Sequence, residues 1–368
     1  MVDRMPMRAL NPVREVEMFG VSRRALAPVG LLMVGLAMSL GSVAAMAQGE
    51  VNIYSYREPQ LIDPLLKAFT DKTGIKANVV YAAAGLNERL AAEGQNSPAD
   101  LLFTVDAGRL SEAKDAGLTQ PVISSALRSA IPAQFRDPAD NWFGLTMRSR
   151  VVYASKERVK QDAITYEELA DPKWKGKICI RSGQHVYNTS LIATMIAHKG
   201  EAATEAWLKG VKDNLAHKPA GGDREQARDI FSGKCDIALG NTYYMALMAK
   251  NEKNPEQKEW GAAIKPLFPN ANDRGSHVNI SGMALAKHAP NKANALKLME
   301  FLASEEAQGI YATANNEYPV NPKVQPSEIV QSWGKLKPDP LPLENIAKYR
   351  KKASELVDKV NFDAGPSS

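Results

Sequence analysis

Three short segments carry five of the eleven tyrosines of the sequence together with two arginines, and each lies at the end of a pattern typical of a β-strand. The segments read Tyr54-Ser55-Tyr56-Arg57, Arg181-Ser182-Gly183-Gln184-His185-Val186-Tyr187-Asn188 and Gly240-Asn241-Thr242-Tyr243-Tyr244. A phenolate oxygen is a hard donor that suits a highly charged cation, and a guanidinium pairs with planar anions through its fork of N–H groups. The sequence carries no Gly-x-Ser-x-Gly, His-Glu-x-x-His or P-loop motif. These features favour binding over catalysis.

The elements that would position these side chains alternate between strand and helix. Strand patterns at 51–55, 77–81 and 99–104 are each followed by a helical pattern, and the alternation resumes after residue 164. Such alternation predicts an α/β fold in which helices flank the sheets. Ligands of such folds bind beyond the carboxyl ends of the strands, where the tyrosine- and arginine-rich segments lie. We therefore expect two α/β lobes with a binding site at their strand ends.

Composition and charge narrow the class of protein. The chain has 368 residues, of which 44% are hydrophobic and 24% charged, as in an ordinary globular protein of about two domains. The net charge of +5 includes five arginines and three acidic residues in the first 47 positions, which leaves +3 for the remainder. Because no basic block occurs, nucleic acid is excluded as the main partner.

Residues 1–47 have the layout of a cleavable signal peptide. An arginine-bearing stretch precedes an apolar run from residue 25, and Ala45 and Ala47 form an A-x-A site, so cleavage is expected before Gln48. Proline and glycines interrupt the run, which argues against the alternative of a membrane anchor. Arg23 and Arg24 resemble a twin-arginine signal, so both the Sec and the twin-arginine routes stay open. The exported chain is expected to work outside the cytoplasm.

The sequence has two cysteines, Cys179 and Cys235, and each lies on a short apolar segment. In an oxidising compartment they are candidates for a disulfide between neighbouring strands, and two buried thiols are the alternative. Their spacing does not indicate a metal site.

Several further segments resemble the periplasmic solute-binding proteins of ABC importers. They read Pro98-Ala99-Asp100-Leu101-Leu102-Phe103-Thr104-Val105-Asp106, Gly282-Met283-Ala284-Leu285-Ala286-Lys287, Pro290-Asn291-Lys292-Ala293-Asn294-Ala295 and Phe301-Leu302-Ala303-Ser304-Glu305-Glu306-Ala307-Gln308. The resemblance covers residues 51 to about 362. It implies a two-lobe fold of type II, in which each lobe has a mixed, mainly parallel sheet flanked by helices and hinge strands join the lobes.

The same resemblance implies the domain boundaries and the partner. Lobe 1 would comprise 48–147 and 277–320, lobe 2 would comprise 148–276, and 321–368 would be a helical segment packed on the lobes. The protein would be a periplasmic monomer that delivers its ligand to an inner-membrane ABC permease and has no enzymatic activity.

Within that superfamily, the three tyrosine-bearing segments are most similar to the ferric-iron-binding proteins that use a tyrosine cluster. The resemblance implies that Tyr187, Tyr243 and Tyr244 ligate Fe³⁺ as phenolates. Three phenolates would neutralise the three charges of the ion and leave half of an octahedral sphere open. Some relatives carry His-Tyr after the first arginine, where this chain has Glu58-Pro59. Glu58 is therefore a candidate ligand, an indirect contact or an anion contact.

A small bidentate anion such as carbonate or bicarbonate would fill the open coordination positions. The resemblance assigns Arg57 and Arg148 to that anion or to stabilisation of the phenolates. Ser182, between a strand and a helix, is a further candidate because backbone N–H groups at a helix start bind anions.

Two other functions stay open at this point. A protein of the same fold could bind an organic or oxyanion solute of the thiamine, polyamine or phosphonate class. A secreted enzyme is the third possibility, although no catalytic motif supports it.

Overall fold

The structure, a computed structural model, describes residues 49–366. The signal peptide predicted for residues 1–47 lies outside the described residues. Within the described range, none of the helices combines the length and the apolar character that crossing a bilayer requires.

Strands and helices alternate through most of the described chain. The strands are β1 Glu50–Ser55, β2 Lys76–Tyr81, β3 Leu101–Thr104, β4 Thr119–Gln120, β5 Phe143–Ser155, β6 Ile178–Cys179, β7 Ile237–Asn241, β8 Ile264–Leu267, β9 Val278–Ala286 and β10 Tyr318–Pro319. The first seven α-helices are α1 Asp63–Thr73, α2 Leu86–Glu93, α3 Ala107–Asp115, α4 Ser125–Ala130, α5 Val186–Lys199, α6 Glu201–Asp213 and α7 Asp223–Phe231. The others are α8 Thr242–Ala249, α9 Glu256–Ala262, α10 Lys292–Ala303, α11 Glu305–Asn315, α12 Glu328–Gln331 and α13 Leu343–Lys359. Short 3₁₀ helices span Pro59–Leu61, Gly94–Asn96, Ala133–Phe135, Glu167–Ala170, Pro172–Trp174 and Phe362–Ala364.

The strands form mixed sheets in the order β2-β1-β3-β9-β5-β7-β6, with β4 on β9 and both β8 and β10 on β5. Parallel pairing joins β1 to β2, β1 to β3 and β6 to β7. The pairs that involve β5 or β9 are antiparallel, because these two long strands return across the sheet instead of continuing a strand–helix–strand unit. The α/β architecture with helices around mixed sheets agrees with the alternation read from the sequence.

Strand β5 belongs to both halves of this arrangement. Its first part, 143–149, pairs with β9 and β10, whereas 150–155 pairs with β7 and β8. All thirteen of its residues are buried, so its polar side chains need partners inside the protein. Among these polar side chains are Arg148 and Arg150, at the centre of the strand. The lobe boundary between 147 and 148 stays a prediction.

The two helices that follow the parallel strands β6 and β7 position the tyrosines, and a short segment, 180–185, separates β6 from its helix. Helix α5 begins after His185, whose Nδ1 accepts a hydrogen bond from the backbone N–H of Tyr187 at 3.2 Å. It ends at Gly200, whose φ of 81° suits glycine. Helix α8 begins directly after β7, with Asn241 at its N-cap. The first turns of both helices therefore lie at the carboxyl ends of neighbouring strands.

Two further features hold this region together. Cys179 of β6 and Cys235, which precedes β7, are joined as a disulfide with a Cα–Cα distance of 5.8 Å. Helix α13 packs along α5 and against α3. The sequence left open a disulfide or two buried thiols, and the structure has the disulfide.

Candidate functional site

The tyrosines and the arginines that the sequence singled out line one cavity of about 460 Å³. The tyrosine cluster, defined as Tyr187, Tyr243 and Tyr244, contributes all three of its rings. The arginine pair, defined as Arg57 and Arg148, lines the same space. The further lining residues are Tyr56, Glu58, Gln60, Leu61, Tyr81, Ala83, Val105, Arg109, His185, Val186, Arg224, Leu247 and Glu317. The structure therefore brings together five of the side chains that the sequence singled out, with Glu58 beside them.

The phenol groups of the tyrosine cluster lie close to one another. The Oη atoms of Tyr187 and Tyr243 are 3.0 Å apart and share a hydrogen bond. The rings of Tyr243 and Tyr244 lie 4.3 Å apart between centroids, at an interplanar angle of 33°. All three residues are in the first turn of a helix, where the helix dipole favours negative charge by about 0.3–1 kcal/mol. The arrangement is suited to phenolates.

Without a bound cation, two of these phenols are neutral. Burial raises the pKa of Tyr243 well above its ordinary value, and the neighbouring phenols of Tyr187 and Tyr244 raise it further. Burial likewise raises the pKa of Tyr244, with Tyr187 as the second cause. A cation that binds phenolate oxygens must therefore displace protons from the cavity.

Three guanidinium groups surround the ring of Tyr187. The distance from the guanidinium carbon to the ring centroid is 5.9 Å for Arg148, 5.8 Å for Arg150 and 5.3 Å for Arg181. The buried carboxylate of Asp223 pairs with two of them and offsets one of their two charges, because Arg150 lies 2.7 Å from its Oδ2 and Arg181 lies 3.1 Å from its Oδ1. Asp223 also accepts a hydrogen bond from the backbone N–H of Asn241, the N-cap of α8. Arg148 is the member of this group that faces the cavity without a contact to Asp223.

The arginine pair is joined through Ser281. The Oγ of this residue accepts hydrogen bonds from Nη1 of Arg57 and, at 3.2 Å, from Nη1 of Arg148. Arg57 also forms an ion pair with Glu317, with 2.9 Å between Nη2 and Oε2. Glu317 accepts a further hydrogen bond from the hydroxyl of Thr146. These contacts fix both guanidinium groups at the cavity surface.

Both arginines keep an unused donor. Arg57 and Arg148 are only 4% and 3% exposed, and within residues 49–366 the Nε of Arg57 and the Nη2 of Arg148 have no hydrogen-bond partner. Burial by itself lowers the pKa of Arg57, but the carboxylate of Glu317 and the phenol of Tyr311 outweigh it and raise the pKa above its ordinary value. Because a buried unpaired N–H group is costly, the arrangement fits an anionic ligand.

Glu58 and Ser182 occupy different positions from the arginines. Glu58 is exposed at the edge of the cavity, where its carboxylate accepts a hydrogen bond from the amide of Gln60. Ser182 does not line the cavity: its hydroxyl donates to Asp363 at 2.5 Å. The backbone N–H of Gly183 donates to the same carboxylate at 2.7 Å. A residue of the chain's C-terminal end therefore engages the groups that the sequence suggested for an anion.

Sequence reasoning missed several residues of the site. Arg224 lines the cavity with its guanidinium 5.0 Å from the ring centroid of Tyr244, and its Nε is buried without a hydrogen-bond partner among the described residues. The sequence around it reads only as a turn into helix α7. Glu317 had no local signal at all, because it follows Arg57 by 260 positions. Both are visible only once the chain has folded.

His185 is the histidine that the cavity contains. Burial lowers its pKa to about 4, and the positive charge of Arg181 acts in the same direction, so the imidazole is neutral near pH 7. Its Nδ1 is occupied by the N–H of Tyr187. Tyr56 also lines the cavity, but its hydroxyl bonds the side chain and the backbone of Asn87. His185 and Tyr56 are therefore already engaged, which leaves the tyrosine cluster and Glu58 as the available oxygen donors among the residues that the sequence singled out.

Comparison with known proteins agrees with this geometry. Residues 55–309 match the family model of the bacterial extracellular solute-binding proteins. Iron uptake protein A1 of Synechocystis sp. is 42% identical over 317 residues, which are 86% of this chain and 88% of that protein.

Solved structures give the same result. A Bordetella ferric binding protein is 56% identical, with a TM-score of 0.81 over 85% of this chain and 99% of the other. The Trichodesmium protein IdiA (FutA), solved with iron and citrate ligands, is 43% identical, with a TM-score of 0.82 over 85% and 100% of the two chains. The predicted fold and the resemblance to ferric-iron-binding proteins are confirmed. The chain belongs to the bacterial extracellular solute-binding protein family.

Proposed function

We propose that this protein captures ferric iron in the periplasm and delivers it to an inner-membrane ABC permease. The observation that carries the proposal is the convergence of three phenols and two buried arginines with unused N–H groups on one cavity. Its relatives are named as iron uptake and ferric binding proteins, which supports the same cargo. The protein would act by binding and release and would have no enzymatic activity.

In this proposal Tyr187, Tyr243 and Tyr244 ligate the iron. Fe³⁺ replaces the phenol protons, and the three phenolates neutralise its charge. The N-terminal turns of α5 and α8 stabilise the resulting negative charge. The short distance of 3.0 Å between the Oη atoms of Tyr187 and Tyr243 supports this assignment, because two ligand oxygens on one ion approach each other about as closely.

The remaining coordination positions would be filled by a small anion such as carbonate, held by the Nε of Arg57 and the Nη2 of Arg148. Both donors are buried and unused, and guanidinium groups suit planar anions. Glu58, at the cavity edge, could approach the iron or the anion. Ser182 stays a prediction, because an anion would have to displace Asp363 from its hydroxyl.

A binder of an organic or oxyanion solute would use the arginine pair but would not need three convergent phenols. A polyamine binder would require acidic groups, whereas Arg57, Arg148 and Arg224 surround this cavity. The ferric proposal accounts for both the phenols and the arginines, so we prefer it to these alternatives.

The test is an optical titration of the purified protein with ferric citrate, with and without bicarbonate. We expect a visible phenolate-to-iron charge-transfer band that saturates near one iron per chain and is lost in Tyr243→Phe and in Tyr244→Phe. Tyr318→Phe is the matched control, because the Tyr318 hydroxyl is also buried but does not line the cavity. A colourless protein that takes up no iron under either condition would refute the proposal and direct the search to organic and oxyanion solutes.

A further inference from the structure

A second group of potential metal ligands lies around the disulfide and outside the cavity. Among residues 49–366, one set of at least three cysteine, histidine or acidic side chains brings its ligand atoms within 4.8 Å of one another, namely Cys179, His217 and Asp229. Cys235 adjoins this set through its bond to Cys179, although its own Sγ does not lie within that distance of all three atoms. We propose that reduction of this disulfide by an external dithiol creates a Zn²⁺ site made of Cys179, Cys235, His217 and Asp229.

The two distances from His217 to its neighbours are those of a tetrahedral zinc site. The Nε2 of His217 is 3.4 Å from the Sγ of Cys179 and 3.4 Å from the Oδ2 of Asp229. Zinc bonds of about 2.3 Å to sulfur and about 2.0–2.1 Å to nitrogen and oxygen give ligand-to-ligand distances of about 3.4–3.6 Å. His217 therefore lies at a zinc-ligand distance from both Cys179 and Asp229, and Cys235 joins as the fourth ligand when its Sγ moves away from that of Cys179 after reduction.

The orientation of His217 suits a ligand. Its Nδ1 lies 2.7 Å from the backbone carbonyl oxygen of Lys218. A carbonyl only accepts hydrogen bonds, so Nδ1 carries the proton and the lone pair of the neutral ring is on Nε2, facing Cys179 and Asp229. Histidine ligands of zinc are commonly held by such an N–H bond to a carbonyl or carboxylate.

The carboxylate of Asp229 is divided between two environments. Its Oδ1 faces positive charge, at 3.1 Å from Arg228 and 3.3 Å from Lys234. Its Oδ2 faces His217 and is the oxygen available to a metal. Cys179, Cys235 and Asp229 are buried, whereas the His217 side chain is 32% exposed and gives the ion a route from solvent.

The dithiol is the reductant of the bond between Cys179 and Cys235. The dithiol transfers two electrons and two protons to the S–S bond, which yields the thiols of Cys179 and Cys235 and the disulfide of the reductant. Zn²⁺ then displaces the two thiol protons and binds both thiolates. In the oxidised protein the sulfurs carry no thiolate, so the site exists only after reduction. The tyrosine cavity takes no part, since none of these four residues lines it.

The experiment compares oxidised protein with protein reduced by a dithiol and desalted without oxygen, using Co²⁺ as the probe and Zn²⁺ as its competitor. The chain has only two cysteines, so a thiolate-to-cobalt band reports this cluster alone. We expect no such band in the oxidised protein and a band that saturates at one Co²⁺ per reduced chain and disappears with Zn²⁺. His217→Asn and Asp229→Asn should each weaken Zn²⁺ binding by about 100-fold, because each removes one of four ligands.

His198→Asn is the matched control, since His198 pairs with Asp339 at 2.7 Å and is outside the cluster; its Zn²⁺ affinity should equal that of the unmodified chain. Circular dichroism of each reduced sample establishes whether it is folded. The proposal is overturned if the reduced chain shows no thiolate band at one equivalent of Co²⁺, whether folded or not. It is also overturned if His217→Asn and Asp229→Asn bind Zn²⁺ as tightly as the unmodified protein.

Discussion

The tyrosine cluster and the arginine pair face the same cavity but obtain their charge in different ways. Tyr243 and Tyr244 are neutral because burial raises their pKa, so any negative charge on them depends on the bound cation. Arg57 is charged permanently, and the buried carboxylate of Glu317 balances it. The difference indicates that a cation enters by exchanging with protons on one side, whereas an anion enters by using N–H groups that already exist on the other.

The largest expected effect is the pH dependence of iron binding, which follows from the tyrosine cluster. If three phenols lose their protons to Fe³⁺, affinity falls about 1,000-fold for each unit by which pH decreases in the range where the free phenols are protonated. The measurement is the number of protons released per iron in weakly buffered solution, corrected for the chelator that supplies the iron and for the proton that bicarbonate loses if it binds as carbonate. Three are expected for the unmodified protein, and one fewer for Tyr187→Phe if it still binds.

The same experiment can contradict the role of the phenols. Release of no proton, or of one, would mean that the phenols do not become iron ligands as a group. The arginine side would then be the main determinant of the site, as in a protein that binds a preformed anionic ligand.

The second prediction concerns the stability of the arginine side. Arg57→Met leaves Glu317 buried without its cationic partner, which should lower the free energy of unfolding by about 3–5 kcal/mol. Urea denaturation at pH 7 measures the change. The double variant Arg57→Met/Glu317→Gln is the control, since it removes both charges and should recover most of the loss.

Arg148→Met sharpens this prediction, because Arg148 contacts Ser281 and not Glu317. We expect a smaller loss of stability and a clear loss of the bicarbonate dependence of iron binding. Equal destabilisation by Arg57→Met and Arg148→Met would show that the ion pair with Glu317 does not distinguish the two arginines.

The parts of the site that the sequence predicted have local signals. Tyr243 and Tyr244 are adjacent and follow a strand, so their position at a strand end could be expected before the structure was known. The parts that it missed depend on contacts between distant positions: Glu317 lies 260 residues from Arg57, and Asp363 lies 180 residues from Gly183. No periodicity or motif encodes such pairs, because folding alone brings the partners together.

The fold shows the same limit. Alternating strand and helix patterns predicted the α/β class, since each pattern is set by residues that are neighbours in sequence. The division of β5 between two sets of partners at residues 149 and 150 has no signal in the strand and helix patterns, and only the resemblance suggested a boundary nearby. The cluster of Cys179, His217 and Asp229 was also missed, because its members lack a ligand spacing and converge only through the strands and helices around β6.

A third prediction tests how the tyrosine side is supported. The disulfide joins β6 to the start of β7, and the ends of these strands lead towards α5 and α8. Cys179→Ser/Cys235→Ser should lower the free energy of unfolding by about 2–4 kcal/mol, because the unfolded chain gains freedom. Urea denaturation under oxidising conditions measures this loss. An unchanged midpoint would show that packing alone holds the two strands.

The smallest expected effect is a loss of stability at alkaline pH that depends on Tyr318. This buried tyrosine lies outside the tyrosine cluster. Tyr318 follows Glu317, and its hydroxyl is buried without a hydrogen-bond partner among the described residues. Burial raises the pKa of Tyr318 above the value of about 10 for a free phenol. Above about pH 10 the unfolded chain therefore releases this proton while the folded chain keeps it, which destabilises the fold by about 1.4 kcal/mol per pH unit.

The Tyr318→Phe variant has no phenol proton at this position. Its free energy of unfolding should therefore fall less steeply above about pH 10 than that of the unmodified protein. Near pH 7 the variant should be as stable as the unmodified protein or slightly more so, because an unpaired buried hydroxyl is removed. Urea denaturation across this pH range measures both effects. A steeper alkaline loss, or clear destabilisation near pH 7, would mean that the hydroxyl has a stabilising partner. Tyr318 would then resemble Tyr187 and Tyr243, whose hydroxyls share a hydrogen bond, and the lack of a partner among the described residues would no longer distinguish it from the cluster.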